Sequence, residues 1–511
     1  MTRSIKPCDF ATHSHFPNGM EETMTVPLAW DGVSPILKRL IREGIIPMYK
    51  RILAGVVMTI APAIAAPAFA DDAVYAKFPV TLQGWMGTQT NSVAYTGQIG
   101  RQVLHDSLKK LAGKGNGKPN ASLKAEMMLY YEGKGKNRKI LAPSTKGPFV
   151  VKQKMVGEIS NPNLSGKTYK GTVSGMPNNM TGPELIKFWI GKAASANKGV
   201  DLANGYNYPQ LISKFILGAV FYHQAVDNYL DEKMTAGKKP NNKPYKKGKH
   251  YTGKEHSWDE AFGYFGFPAH GLKLSPSQLY DIAKRKPKAL GFADADGDGK
   301  VDLYDEMVFG PAYYAAGSDK SKKTSYAQTI GKAFLDGRKL IASAGGKALT
   351  GAQLAQLNKY ARVIEDNWEK TLAEATFKYA GSCFKDLQAI KAKPSDAKVL
   401  RKYIKHWGEL KGFSLAMQTG RKNLGDTAAR LNRLIGFGPV MPNSSQVTDI
   451  DSAGNYVKDQ ASGINEYMGH MLKVQKLIVD KYGIKARKND QLSGMSEMLK
   501  KLGSGSAAEN D

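Results

Sequence analysis

Apolar residues recur at three- and four-residue spacing along most of the chain, a pattern that predicts helices packed on one another. In TGQIGRQVLHDSLKKL, starting at Thr96, the residues Ile99, Val103, Leu104, Leu108 and Leu111 form one stripe. PQLISKFILGAVFYHQAVDNYL, from Pro209, is apolar enough for a buried central helix. Over 353–390, Leu357, Tyr360, Ile364, Trp368, Leu372, Cys383 and Leu387 share a face interrupted only by Gly381, and INEYMGHMLKVQKLIVDKY from Ile464 predicts a further helix. Short Gly- and Lys-rich pieces such as GPFVVKQKMVGEIS read as hairpin-like connections. No tandem repeat of solenoid length interrupts this order. The expected fold is mainly α, a helical bundle-like domain over 71–500, followed by a polar tail at 501–511 too poor in apolar residues to pack.

One stretch breaks the helical pattern. DADGDGKVDLYDE places the oxygens of Asp294, Asp296, Asp298, Asp302 and Asp305 at positions 1, 3, 5, 9 and 12 of a calcium loop, and Lys300 at position 7 supplies its backbone carbonyl. Gly299 at position 6 permits the sharp turn that brings these groups together, while Val301 points inward as an anchor. A hard cation needs acids on alternate residues of a tight turn, so the spacing at 294–305 points to calcium more specifically than a general acidic patch would. Position 12 is an aspartate, with Glu306 beside it able to help or replace it, and Pro287 interrupts the entering helix. The predicted insertion is therefore of the dockerin-like, EF-hand-type kind, and a lone loop points to structural calcium rather than a sensor.

The compartment decides whether such a loop is loaded. MYKRILAGVVMTIAPAIAAPAFADD has a basic start, an apolar run and a small-residue exit at Ala68 to Ala70, which predicts a secretory signal at 48–70 cleaved before Asp71. Residues 1–47 are then an untranslated or disordered leader, and the protein is expected to be periplasmic or secreted. Of the two cysteines, Cys8 falls in the leader and Cys383 stands alone, so no intrachain disulfide is expected. No later segment is apolar enough for a transmembrane anchor. The formal net charge of +28 would suggest nucleic acid in a cytoplasmic protein. Export removes that partner and leaves anionic glycan or lipopolysaccharide as the accessible polyanions. Basic loops such as GKKPNNKPYKKGKHYTGK from Gly237 and GKGNGKPN from Gly113 read first as solubilising surface, with contact to these polyanions as the alternative.

Two helical segments combine histidine with acid. EHSWDEAFGYFG carries His256, Asp259 and Glu260, and KHWGELKGFSLAMQ carries His406 and Glu409, at spacings that put imidazole and carboxylate on one helical face. If the two helices met, they would form a second, transition-metal site for iron or zinc. His223 with Asp227 is a further pair of the same spacing. A buried, hydrogen-bonded pair that fixes helix packing explains such spacings as well.

NSVAYTGQIGRQ, KHYTGKEHSWDEAFGYFG, FLDGRKLI and HWGELKGFSLAMQ, in that order, resemble the characteristic segments of the bacterial domain-of-unknown-function family 4856. The resemblance implies an exported, mainly helical protein often encoded near imelysin-type iron-regulated proteins. Imelysins carry a Gly-x-His-x-x-Glu metal motif, to which Gly253, His256 and Asp259 correspond in part, with one extra residue before the histidine and Asp in place of Glu. The expected function is a non-catalytic, calcium-binding component of metal acquisition at the envelope, with envelope proteins of a metal-uptake system as partners. An imelysin-like metallohydrolase using His256 and His406 as ligands, with Glu260 or Glu409 as ligand or base, is the alternative. Calcium-dependent binding to surface polyanions is another. No HExxH, GxSxG or Cys-His nucleophile pattern supports catalysis independently.

Overall fold

Helices start where the sequence supplies caps and end where glycine or a change of backbone direction stops them. The longest shows the rule: Thr350 and Gln353 form a reciprocal capping box, and the helix then runs without interruption over Gly351–Ala392. The computed structural model describes residues 73–502 apart from Lys136 and Ser462. The predicted leader, the signal segment and all of the tail after Leu502 lie outside them. In chain order the helices are α1 (Thr96–Ala112), α2 (Ala121–Glu132), α3 (Gly182–Ser195), α4 (Tyr208–Ile216), α5 (Gly253–Phe265), α6 (Pro276–Ala283) and the single turn α7 (Leu290–Ala293). They continue with α8 (Gly310–Asp319), α9 (Tyr326–Ser343), α10 (Gly351–Ala392), α11 (Ala397–Ala416), α12 (Asp426–Ile435), α13 (Ile464–Tyr482) and α14 (Met495–Leu502). The last of these carries helix two residues into the predicted tail.

The mainly helical class expected from the hydrophobic pattern is what the structure has, with α10 at its centre and α9, α11 and α13 packed along it. Gly381 does not break α10. A Cβ there would lie 1.9 Å from the Asn489 carbonyl oxygen, so the glycine admits a neighbouring backbone into contact. The apolar run after Pro209 forms α4 and continues as π-helical turns over Leu217–Tyr222 and Gln224–Tyr229, buried on almost every side. Gly218 in that run touches Ala416 of α11, where a Cβ would approach within 2.4 Å. The small residues of HWGELKGFSLAMQ thus let two helices meet at backbone distance.

Strand structure is slight. Antiparallel β1 (Val200–Asp201) and β2 (Tyr206–Asn207) form one ribbon, while β3 (Ser445–Ile450) and β4 (Tyr456–Gln460) form another with a register shift between Val447 and Asp449. GPFVVKQKMVGEIS forms isolated bridges rather than a hairpin, one of them a parallel bridge from Val151 to Val301. Among the described residues no helix is long and apolar enough to cross a membrane.

Candidate functional site

The helix α5 carries two different chemistries on two faces. Its start is fixed by a capping box between Thr252 and Glu255, and residues four apart then point together. Glu255, Asp259 and Trp258 turn inward. Arg338, on α9, donates from Nε to Asp259 at 2.9 Å and from Nη1 to Glu255 at 3.1 Å, and all three side chains are fully buried. Arg338 also donates to Ser92 Oγ at 2.6 Å, and Asp259 accepts from Tyr75 Oη at 2.7 Å and from the Ala94 amide at 3.0 Å. Burial alone would lower the arginine pKa, but Asp259 and then Glu255 hold it above its ordinary value. Three of the four motif segments, NSVAY, EHSWDE and FLDGRKLI, therefore meet in one ionic knot. Trp258 adds a hydrogen bond to the Phe334 carbonyl at 2.8 Å. Asp259, expected as a metal ligand, is instead committed to Arg338, Tyr75 and Ala94.

His256 and Glu260 occupy the other face and line a polar cavity of about 530 Å3 with Gln98, Arg101, Asn161 and Lys167. The imidazole stacks on Tyr251 at 4.5 Å and meets the Tyr245 edge at 4.2 Å; burial lowers its pKa, with Glu260 opposing. Glu260 Oε1 accepts from Gln98 at 2.9 Å and lies 3.7 Å from His256 Nε2, while Oε2 is buried without a hydrogen-bond partner. Arg101 directs its guanidinium to the carbonyls of Asn163 and Gly97 rather than to the glutamate.

His406 and Glu409 do not join them. They line a second cavity of about 780 Å3, bounded by different helices. His406 Nδ1 is bound to Asp386 at 2.5 Å, which also holds Lys402 at 3.1 Å. Glu409 is buried beside Tyr379. The two-helix transition-metal site, and with it the ligand set of the hydrolase alternative, is not assembled: Asp386 and Arg338 draw the two helices' polar groups to separate places. His223 lies 3.4 Å from Asp227 within the buried π-helical run, a packing pair whose imidazole pKa burial lowers.

The acidic loop is held by its own turns. Asp294 accepts the amides of Gly297 and Gly299, Asp296 that of Asp298, Asp298 that of Lys300, and Asp302 that of Tyr304. Val301 is fully buried and its amide bonds to the Val150 carbonyl at 2.8 Å, while the Asp305 carbonyl accepts from Ala269 at 2.6 Å. Asp294, Asp296 and Glu306 each offer an oxygen within 4.8 Å of the others, the one such group of three acids, histidines or cysteines among the described residues. Asp298 and Asp302 lean to Lys152 Nζ at 3.1 and 3.7 Å, and Lys300 projects outward. Burial, followed by the charges of Asp302, Glu306 and Asp296, pushes Asp305 up to about 6. Helices do not frame the loop as they would in an EF-hand. Only the four-residue α7 enters, and the exit is a turn, because Phe309 is drawn to the Gly266 carbonyl before α8 begins.

Two charges inside apolar helices are signals that the sequence reading leaves unused. Arg338 stood in FLDGRKLI as a charge inside an apolar helix. Lys214, buried in PQLISKFILG, stood out the same way. Glu306, weighed beside Asp305, is the acid that converges.

The architecture is that of a mainly helical protein with polar cavities between helices and an acidic surface loop. The family model for a domain of unknown function, DUF4856, matches residues 190–280, from the end of α3 into α6. The matched segment contains the EHSWDEAFGYFG helix and both faces just described. No curated protein and no solved structure matches the chain.

Proposed function

We propose that this is a calcium-stabilised, non-catalytic binding protein that serves metal acquisition at the cell envelope. The observation that carries the calcium reading is the convergence of Asp294, Asp296 and Glu306 in a turn whose amides are already tied by aspartate side chains. Carboxylate oxygens on a compact, glycine-hinged loop are the donor set of a hard divalent cation. These three residues would hold the ion, with Asp298 and Asp302 joining when Lys152 is displaced. Val301 and the Asp305 carbonyl tie the loop to segments near residues 150 and 269, so calcium would brace distant chain segments rather than open a groove.

Thermal unfolding with and without calcium tests the reading. Saturating the site 100-fold over its dissociation constant stabilises by about 2.7 kcal/mol. Magnesium is expected to do much less, because it demands tight octahedral geometry. Asp294→Ala with Asp296→Ala should abolish the calcium shift; an unchanged shift in that variant refutes the assignment. The role in metal acquisition rests on the family resemblance. Its test is growth of a deletion strain under iron limitation, and growth equal to the parent strain would exclude it.

A further inference from the structure

We infer that the cavity between α1, α4, α8, α10 and α11 is a binding site for a compact oligo-anion of the phosphorylated-ring class. This goes beyond the calcium reading and does not depend on it. The walls of this cleft of about 780 Å3 carry Lys109, Lys214, Lys284, Lys378 and Lys405, against only Asp106 and Glu409 among acids. None of these five lysines has an ion-pair partner among the described residues, whereas Lys152, Lys286, Lys402 and Lys422 elsewhere all do. Lys214 decides the matter. It is only 3 % exposed, its one hydrogen bond is a long contact of 3.4 Å to Ser213, and its strongest neighbouring charge is another cation, Lys109. Burial and then Lys109 push the Lys214 amine toward its neutral form, with Glu409 and Asp106 opposing, and an anion in the cleft supplies the further counter-charge that favours the ammonium.

Ring faces complete the site. Tyr280, Tyr313, Tyr314 and Tyr379 line the same cleft, with Lys284 4.7 Å from the Tyr313 ring centre and Lys378 4.5 Å from that of Tyr379. Alternating ammonium groups and aromatic faces suit a ligand with several phosphates on a flat or cyclic scaffold rather than a single inorganic ion. The same headgroup chemistry occurs free or on a lipid.

Calorimetric titration of the full chain with inositol hexakisphosphate, inorganic phosphate and vesicles containing a diphosphorylated glycolipid tests the inference. Saturable binding of the hexakisphosphate, weakened at least tenfold by Lys284→Gln with Lys378→Gln, is expected, with inorganic phosphate much weaker. Both substituted side chains reach solvent, so the fold survives. Lys214→Met should weaken binding as well, yet raise the melting temperature of the free protein, a combination that a purely structural lysine would not give. Vesicle binding lost in the same variants would place the headgroup on a lipid, and free-ligand binding alone would place it in solution. Two results overturn the inference: no saturable binding of either polyanion at low salt, or an equal loss in a control with the exposed Lys243, Lys246 and Lys247 changed to Gln.

Discussion

Replacing Arg338 by methionine removes the one cation that faces two fully buried carboxylates while nearly preserving volume. At an effective dielectric of 20, each contact near 3 Å is a gross attraction of about 5 kcal/mol, most of it offset by the desolvation of three charges. The net value of the intact knot is therefore small, but breaking it is not. Glu255 and Asp259 would be left as uncompensated buried charges, at about 3–5 kcal/mol. Ser92 would lose its donor at the same time. Urea denaturation followed by circular dichroism, at constant m-value, reads this directly. The triple variant Arg338→Met, Glu255→Gln, Asp259→Asn removes the charges together and should recover most of the loss. A single variant within about 1 kcal/mol of wild type, or a triple variant no more stable than the single, would refute the reasoning.

Lys411 is fully buried, donates only to the Gly436 carbonyl at 2.7 Å, and burial lowers its pKa to about 7. A lowered lysine destabilises while charged in the fold, so stability rises with pH above about 7, up to the unfolded value near 10. Lys411→Met should therefore gain about 2.7 kcal/mol more at pH 6 than at pH 9, and a pH-independent difference in urea midpoints counts against this. Gly337 abuts the Trp258 ring so closely that a Cβ would lie 2.1 Å from it. Gly337→Ala is expected to destabilise by about 2–3 kcal/mol and shift the tryptophan emission; a neutral variant would mean that the ring moves freely.

The helices were legible because their apolar stripes at three and four residues are local. The buried run after Pro209 was readable for the same reason, though its π-helical turns were not: Gly218 and Ala416 determine how closely that run meets α11, and they lie far apart in sequence. The ribbon of β3 and β4 escaped notice because five of its strand positions in β4 are half-exposed or exposed, leaving no alternating pattern. The acidic loop was legible residue by residue, since its turns are made by side chains two to five positions from the amides they hold. Which acids converge was not, because Lys152 and Gln153 compete for Asp298 and Asp302 from a distant segment. The pairing of His256 with Glu260 followed from helical spacing, whereas the fate of Asp259 depended on an arginine on another helix.

The ionic knot has a bearing on how the chain reaches its fold. Ser92 and Arg338 are 246 residues apart, so the segment around residues 75–95 cannot complete its hydrogen bonds until most of the chain exists. At an elongation rate of roughly 5–20 residues per second, that delay is roughly 12–50 s. During this window Tyr75, Phe78 and Tyr95, all destined for the core, stay exposed, and in its last third Glu255 and Asp259 exist without their partner. Such contact order favours slow, late docking of the amino-terminal segment on a preformed helical body. It makes this stretch the natural place for a chaperone to hold the chain, and gives a refolding reaction in which helical signal returns well before protection of the residues around Ser92.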